Sequence, residues 1–258
     1  MKITVLAENT SRRGLPCEHG LSLYIELDGK TILFDTGQSG LFADNARLLG
    51  ADLAKVDFAV LSHGHYDHGG GLMRFFELND TAPVYMSEYA FEPHFNSQGK
   101  YIGLDSAILD SGRVVFTHGE TPLTDNVTLY SGEDMPKIAD SGSAGLCTRR
   151  GQCLVSDDFR HEHYMIIEEG GRRVLFSGYS HRGIVNIMNS FEPDVMVGGF
   201  HLSGVDTGDA LAEYAQMLAG YPAEYYTCHC TGVEQYIFMK NYIGSLGYIS
   251  TGDTAEIR

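Results

Sequence analysis

The segment His63-Gly64-His65-Tyr66-Asp67-His68-Gly69-Gly70-Gly71 places four side chains able to ligate a metal within six residues and follows them with a glycine triplet. The apolar run over 56–61 leads into it and reads as a short buried strand bounded by turn residues. The ligands then lie on the loop leaving the strand's carboxyl end, where open α/β sheets place their chemistry. Imidazole together with carboxylate suits zinc, iron or manganese. His63 and His65 alternate, so in extended backbone both face one way, whereas Asp67 and His68 follow a turn and can face a second ion. The competing reading is a histidine-rich surface loop. A strand directly ahead of H-x-H-x-D-H argues against it.

The rest of the composition sets bounds. A chain of 258 residues can bury roughly 75% of its unfolded surface without a covalent staple. Hydrophobic content of 43% is ordinary for a globule, and no uncharged apolar stretch approaches the ~18 residues of a spanning helix. A net charge of −16 leaves no broad basic face, so neither nucleic acid nor an anionic membrane is an expected partner, and a small-molecule substrate is. Met1-Lys2-Ile3-Thr4-Val5-Leu6 opens directly as a strand, so no signal peptide is read and a cytoplasmic location is expected. The cysteine count is five, an odd number, and in that compartment these read as reduced thiols.

Alternation and turn chemistry divide the remainder. Strands are expected over 2–7, 21–27, 31–35, 83–86, 114–116, 164–168, 174–177, 194–197 and 225–227, the last taken as the final core strand. Asp28-Gly29 marks a tight hairpin, because both residues tolerate positive φ, and Gly170-Gly171 marks another. Helices are expected over 39–49 with Gly50 closing it, 72–78, 183–191, 206–219 with Thr207 as N-cap, and 233–243. Ile32-Leu33-Phe34-Asp35-Thr36-Gly37 and Val174-Leu175-Phe176-Ser177-Gly178 are both return strands ending in a small polar turn. That weak internal likeness fits a duplicated plan, two sheets face to face with helices outside. Residues 79–160 are less regular, and 131–136 and 140–145 are rich in turn residues.

The metal motif, with Thr31-Ile32-Leu33-Phe34-Asp35-Thr36-Gly37 upstream, resembles the metallo-β-lactamase superfamily of metallohydrolases over most of the chain. Tyr179-Ser180-His181-Arg182-Gly183-Ile184, Gly198-Gly199-Phe200-His201-Leu202 and Cys228-His229-Cys230-Thr231-Gly232 further resemble one branch, that of dihydropterin ribofuranosylaminobenzene phosphate synthase. The resemblance implies an α/β fold of the αββα sandwich type, two facing mixed sheets with helices outside. It implies a single domain over 1–258, with a substrate-covering insertion around 88–160. His63 and His65 are implied for one ion, Asp67 and His68 for a second, and His229 as the last histidine. Asp35 is implied to support the metal loop by hydrogen bonds rather than to bind metal. Within the insertion His94 and Lys100 become candidates for substrate contact, as does Asn9 in the polar loop Glu8-Asn9-Thr10-Ser11 at the rim.

The sequence departs from the superfamily pattern in two places. A Gly-Asp whose carboxylate bridges both ions is replaced by Ser177-Gly178-Tyr179-Ser180-His181. A neutral imidazole has one lone pair, so His181 is expected to bind one ion only. A Gly-His-Thr-Pro-Gly type motif is missing, and Phe159-Arg160-His161-Glu162-His163-Tyr164 stands in its place. His161, Glu162 or His163 is therefore a candidate extra ligand or support. His201, after a glycine pair, is a candidate for substrate contact or proton transfer, against a plain core histidine.

Zinc is the expected metal, as one or two ions, with iron or manganese as alternatives. Bound ions lower the pKa of water from about 15.7 to about 7. With Asp67 and His201 as catalytic groups, the expected function is a metal-dependent hydrolase of an ester, lactone, amide or phosphoester in a small molecule. The rivals are a synthase-like transferase, in which the ions assist diphosphate departure, and a non-catalytic metal-dependent protein that binds a pterin or another small molecule.

Overall fold

Strand alternation sends Ile32 and Phe34 to one side of their sheet and Leu33 to the other, and all three are fully buried. A strand apolar on both faces needs a layer on each side, and the fold supplies both. The computed structural model describes residues 1–139 and 145–257, so most of the turn-rich stretch read at 140–145 lies outside the described residues. The first half runs β1 (Lys2–Ala7), β2 (Ser22–Leu27), β3 (Lys30–Phe34), α1 (Leu41–Leu49), β4 (Phe58–Val60), α2 (Tyr66–Gly69), α3 (Leu72–Leu78), β5 (Val84–Ser87), β6 (His94–Phe95) and β7 (Val114–Thr117). The second runs β8 (Glu120–Thr124), β9 (Val127–Ser131), β10 (Cys147–Arg150), β11 (Cys153–Ser156), β12 (His163–Glu169), β13 (Arg172–Ser177), α4 (Ile184–Phe191), β14 (Val195–Gly198), α5 (Asp209–Ala219), β15 (Glu224–Thr227), α6 (Val233–Met239), β16 (Leu246–Tyr248) and β17 (Thr254–Glu256).

One seven-stranded sheet has the order β17-β1-β2-β3-β4-β5-β7 and the other β16-β15-β14-β13-β12-β9-β8. Each changes at its hairpin return strand: β2·β3 and β12·β13 are antiparallel, β3·β4·β5 and β13·β14·β15·β16 parallel. The likeness between 32–37 and 174–178 thus reflects equivalent places in the two sheets. Phe34 and Phe176 meet across the sandwich with ring centroids 5.8 Å apart, inside a core shared by both sheets. Such a pair contributes about 0.5–1.5 kcal/mol beyond its burial. The outer face of the first sheet is covered by α1 and α3, that of the second by α4, α5 and α6. This is the αββα sandwich.

β1 runs parallel to β3, since each is antiparallel to β2. The carboxyl ends of β1, β3 and β4 therefore share one edge, as do those of β13, β14 and β15 in the other sheet. The segments that follow these ends carry Glu8, Asp35, His63, His181, His201 and His229.

Several boundaries differ from expectation. The helix expected over 206–219 starts at Asp209, because Gly208 is extended (φ −175°), and Thr207 does not cap it. The helix expected over 233–243 ends at Met239. Residues 225–227 are not the last core strand: β16 extends the parallel edge of the second sheet and β17 pairs with β1. The span 88–160 is only partly additional, since β7 joins the first sheet and β8 and β9 the second. What stands apart is a three-stranded sheet, β11-β10-β6. Finally, a single helical turn, α2, runs through the motif itself, so Asp67 and His68 sit on a helix rather than a loop.

Candidate metal centre

Each turn that carries a candidate ligand is gripped by a buried carboxylate. Asp35 accepts hydrogen bonds from Ser62 N, Ser62 Oγ and His68 Nδ1, each at 2.7 Å. Glu162 accepts from His181 N (2.8 Å), Arg182 N (3.1 Å) and the Tyr164 hydroxyl (2.6 Å). Glu8 accepts from His229 N (3.1 Å) and the Tyr248 hydroxyl (3.0 Å). Buried carboxylates are tolerated when hydrogen-bonded in this way. Backbone around the site is strained: Asp35, Phe159, Ser180, His201 and His229 all have φ between 51° and 61°. Non-glycine residues adopt that region mainly where surrounding structure over-determines it, as at functional sites. Gly64, between two of the histidines, is required by contact, since a Cβ there would lie 2.1 Å from the Ala90 carbonyl oxygen.

The same bonds fix which ring nitrogens remain free. Ser62 Oγ spends its proton on Asp35, so His63 Nδ1, 2.9 Å away, donates to it and keeps its lone pair on Nε2. His68 Nδ1 donates to Asp35, and His229 Nδ1 donates to Asn9 Oδ1 at 2.7 Å. Their Nε2 atoms face each other at 3.2 Å. In neutral rings these are two lone pairs, which only a proton or a cation satisfies. His63 Nε2 and both nitrogens of His181 are buried without a hydrogen-bond partner. Unpartnered buried nitrogens are costly unless something binds them, so the donor set fits a metal.

Ligand atoms of His63, His65 and His181 lie within 4.8 Å of one another, and the same holds for His63, Asp67 and His68, for His19, Asp67 and His229, and for His65, His94, Asp157 and His161. Asp67 Oδ2 is 3.1 Å from His19 Nε2, 3.7 Å from His229 Nε2 and 3.8 Å from His68 Nε2. The six side chains His63, His65, Asp67, His68, His181 and His229 are therefore brought to one place, and His181 falls with His63 and His65. Its ring is stacked between Phe159 (centroids 4.4 Å, planes 7° apart) and Tyr179 (4.2 Å, 6°).

The electrostatics suit cation binding. Burial first, then neighbouring imidazoles, holds His63, His65, His181 and His229 well below the ordinary histidine range, so their lone pairs are available at neutral pH. Burial opposes charge on Asp67 and His68 as well, but His68 and His19 nonetheless hold the Asp67 carboxyl well down, and Asp35 and Asp67 raise His68.

A sequence profile of the metallo-beta-lactamase superfamily matches residues 15–201, more than half of the chain. The chain belongs to the metallo-beta-lactamase superfamily. An uncharacterised protein of Methanocaldococcus jannaschii is 30% identical over 240 residues, 89% of this chain and 90% of its own. From the same organism, 7,8-dihydropterin-6-methyl-4-(beta-D-ribofuranosyl)-aminobenzene-5'-phosphate synthase is 28% identical over 271 residues, 94% of this chain and 92% of its own. A solved metal-dependent hydrolase of the beta-lactamase superfamily superposes with a TM-score of 0.86 at 28% identity, covering 100% of this chain and 99% of that one. The branch resemblance read from the motifs holds across nearly the whole chain.

The remaining expected residues take varied places in this superfamily scaffold. His201 is half-buried, its ring 4.8 Å from those of Tyr179 and His181, with Nδ1 buried and unpartnered; burial pushes it down to about 4. Glu162 spends both oxygens on the His181 turn, so it supports that turn and is not directed to the ligand groups as an extra donor. His161 Nδ1 accepts the Gly64 N–H at 2.9 Å, and His163 Nδ1 lies 3.3 Å from Thr117 Oγ1. Asn9, read as a substrate contact, orients His229 instead. His94, also read as a substrate contact, is fully buried and donates through Nδ1 to Asp157 Oδ2 at 2.7 Å, so it faces the interior. Lys100 is exposed, with Nζ 6.0 Å from the centre of the Tyr66 ring, outside the ligand groups. Sequence reading missed His19, Tyr179 and Asp157. His19 stands before Gly20 in the loop whose backbone meets the motif at Leu21 N to Asp67 O (3.3 Å), a proximity no spacing rule shows. Tyr179 has five histidine rings within 6 Å of its own.

Proposed function

We propose that this chain is a metal-dependent hydrolase binding two divalent ions, zinc foremost because the donors are mainly imidazoles, and acting on an ester, lactone, amide or phosphoester of a small molecule. The observation that carries the reading is the opposed pair of Nε2 atoms on His68 and His229, 3.2 Å apart beside Asp67, which one proton or one cation satisfies, next to a trio of imidazoles from His63, His65 and His181. His63, His65 and His181 would hold one ion, and Asp67, His68 and His229 the other, with His19 at the exposed side of Asp67. When bound, such ions lower the pKa of water to about 7 and polarise an acceptor oxygen. His201 stands beside the trio with an unpartnered Nδ1 and, kept neutral by burial, is placed to accept a proton or a hydrogen bond from water or substrate. Tyr179 lies against the rings of His181 and His229 at 4.2 Å and 5.1 Å between centroids.

The test is a panel of lactone, ester, amide and phosphodiester substrates offered to zinc- or manganese-reconstituted protein. Turnover of one class, reduced at least ~100-fold by His68→Ala, is the expected result. The 28% identity to the dihydropterin synthase over 94% of the chain favours a second reading, a transferase in which the ions assist diphosphate departure. Product formation from a pterin diphosphate and an aminobenzene ribose phosphate, with the hydrolytic panel inert, would replace the first reading with that one. Tight pterin binding without any turnover would replace both with a binding protein.

A further inference from the structure

Three of the ligand imidazoles named above have a visible partner or plate that fixes the ring away from the metal side: Ser62 for His63, Asp35 for His68 and Asn9 for His229. His181 is fixed by stacking. His65 alone has neither. Its Nε2 is buried without a partner, and it is the one residue shared between the His63–His65–His181 group and the buried group of His94, Asp157 and His161.

The hydrogen bonds of that second group say what it is. His94 Nδ1 donates to Asp157 Oδ2, so neutral His94 carries its lone pair on Nε2, which is itself buried and unpartnered. The ring lies 5.3 Å from that of His65, edge to face. His161 Nδ1 accepts the Gly64 N–H, so its proton is on Nε2, which faces Asp157 Oδ2 at 3.6 Å. Asp157 Oδ1 accepts the Phe159 N–H at 2.8 Å. His161 has no lone pair left for a cation, and Asp157 is engaged through both oxygens. The group is therefore not a third ion site. It leaves one acceptor, His94 Nε2, on a ring that lies edge to face with the ring lacking a partner, His65. Metal-bound histidines regularly donate their other ring N–H to an acceptor that sets orientation and basicity.

We infer that Asp157, acting through His94, is the positioning residue for His65, and that the small β11-β10-β6 sheet delivers it: His94 lies on β6, paired with Thr148 of β10, and Asp157 directly follows β11. Asp157 also fixes Phe159, the plate behind His181, so one carboxylate steadies two of the three rings of that ion. This rests on the two-ion reading above.

The experiment is zinc and cobalt(II) titration of metal-free wild type, Asp157→Asn and His94→Gln, with thermal unfolding of each metal-free protein as the control. Wild type should bind two ions. Both variants should bind one of them about 10–100-fold more weakly, keep the other, and show a shifted cobalt(II) absorption, with the metal-free unfolding temperature near wild type. His94→Gln keeps a polar group of similar length, and carries the test should Asp157→Asn fail to fold. Variants that bind like wild type overturn this inference alone, as does a third ion lost on Asp157→Asn. A wild type that binds no ion overturns the two-ion reading and this inference with it.

Discussion

At the scale of single residues, the centre is organised by what lies behind each ligand. Asp35 shows the economy of this: one carboxylate aligns the His63 backbone through Ser62 N, the His63 ring through Ser62 Oγ, and the His68 ring directly. Asp35→Asn keeps the shape but turns one acceptor into a donor facing other donors. The loss of a charged hydrogen bond should cost about 1.5–3 kcal/mol of stability, read by urea unfolding, and weaken ion binding about 10–100-fold in a metal titration. Wild-type values on both would show that Asp35 only fills space. The residues that sequence reading found and missed divide on physical grounds. Four candidate ligands adjacent in one motif declare themselves by spacing, and the candidates His181 and His229 by following strand ends. His19, Tyr179 and Asp157 are single side chains from separate loops, and only the folded chain sets them beside the motif.

At the scale of elements, the site exists because two sheets bring parallel strand ends together. The two edges lie tightly together at Gly178, just past β13: a Cβ there would lie 2.1 Å from Ser62 Oγ and 2.8 Å from Asp35 Oδ2. Gly178→Ala should therefore push the second sheet's edge away from the first sheet's ligand loop. The expected result is a loss of about 1–3 kcal/mol in denaturant unfolding, from overpacking, together with weaker metal binding. Unchanged unfolding and binding would mean that the two edges are free to separate. The strands that carry these ends were legible because they are apolar on both faces, as 58–61 and 174–176 are. β8, with Pro122 among half-exposed polar residues, and the three-residue strands β16 and β17 were not. Edge strands owe their place to pairing partners rather than to their own pattern.

At the scale of the whole molecule, burial of so many neutral histidines makes stability depend on pH. Burial lowers His63, His65, His181 and His229 well below their ordinary value. The unfolded chain takes up protons on these rings below about pH 6.5, while the folded rings do not. The unfolded state then binds more protons, so stability is present above that pH and is lost as pH falls below it. His68, raised by Asp35 and Asp67 against its burial, works in the opposite direction, as do Glu8 and Glu162, raised by burial, but His161, His163 and His201, pushed down to about 4, act with the four. The net charge of −16 also opposes the trend, because acid relieves self-repulsion. That relief is small here: carboxylates titrate mainly near pH 4, and salt screens exposed charges beyond about 8 Å. Metal-free protein at physiological salt should therefore show an unfolding temperature that falls between about pH 6.5 and pH 5. Ions that bind only the folded state add about 2.7 kcal/mol at a hundredfold excess over Kd, and protons compete for the same lone pairs. The gap between loaded and chelated unfolding temperatures should accordingly narrow over that interval. A chelated protein whose unfolding temperature stays flat from about pH 8 to pH 5 would show that these rings are not held neutral by the fold, and that the lone pairs assigned to the ions are not waiting for them.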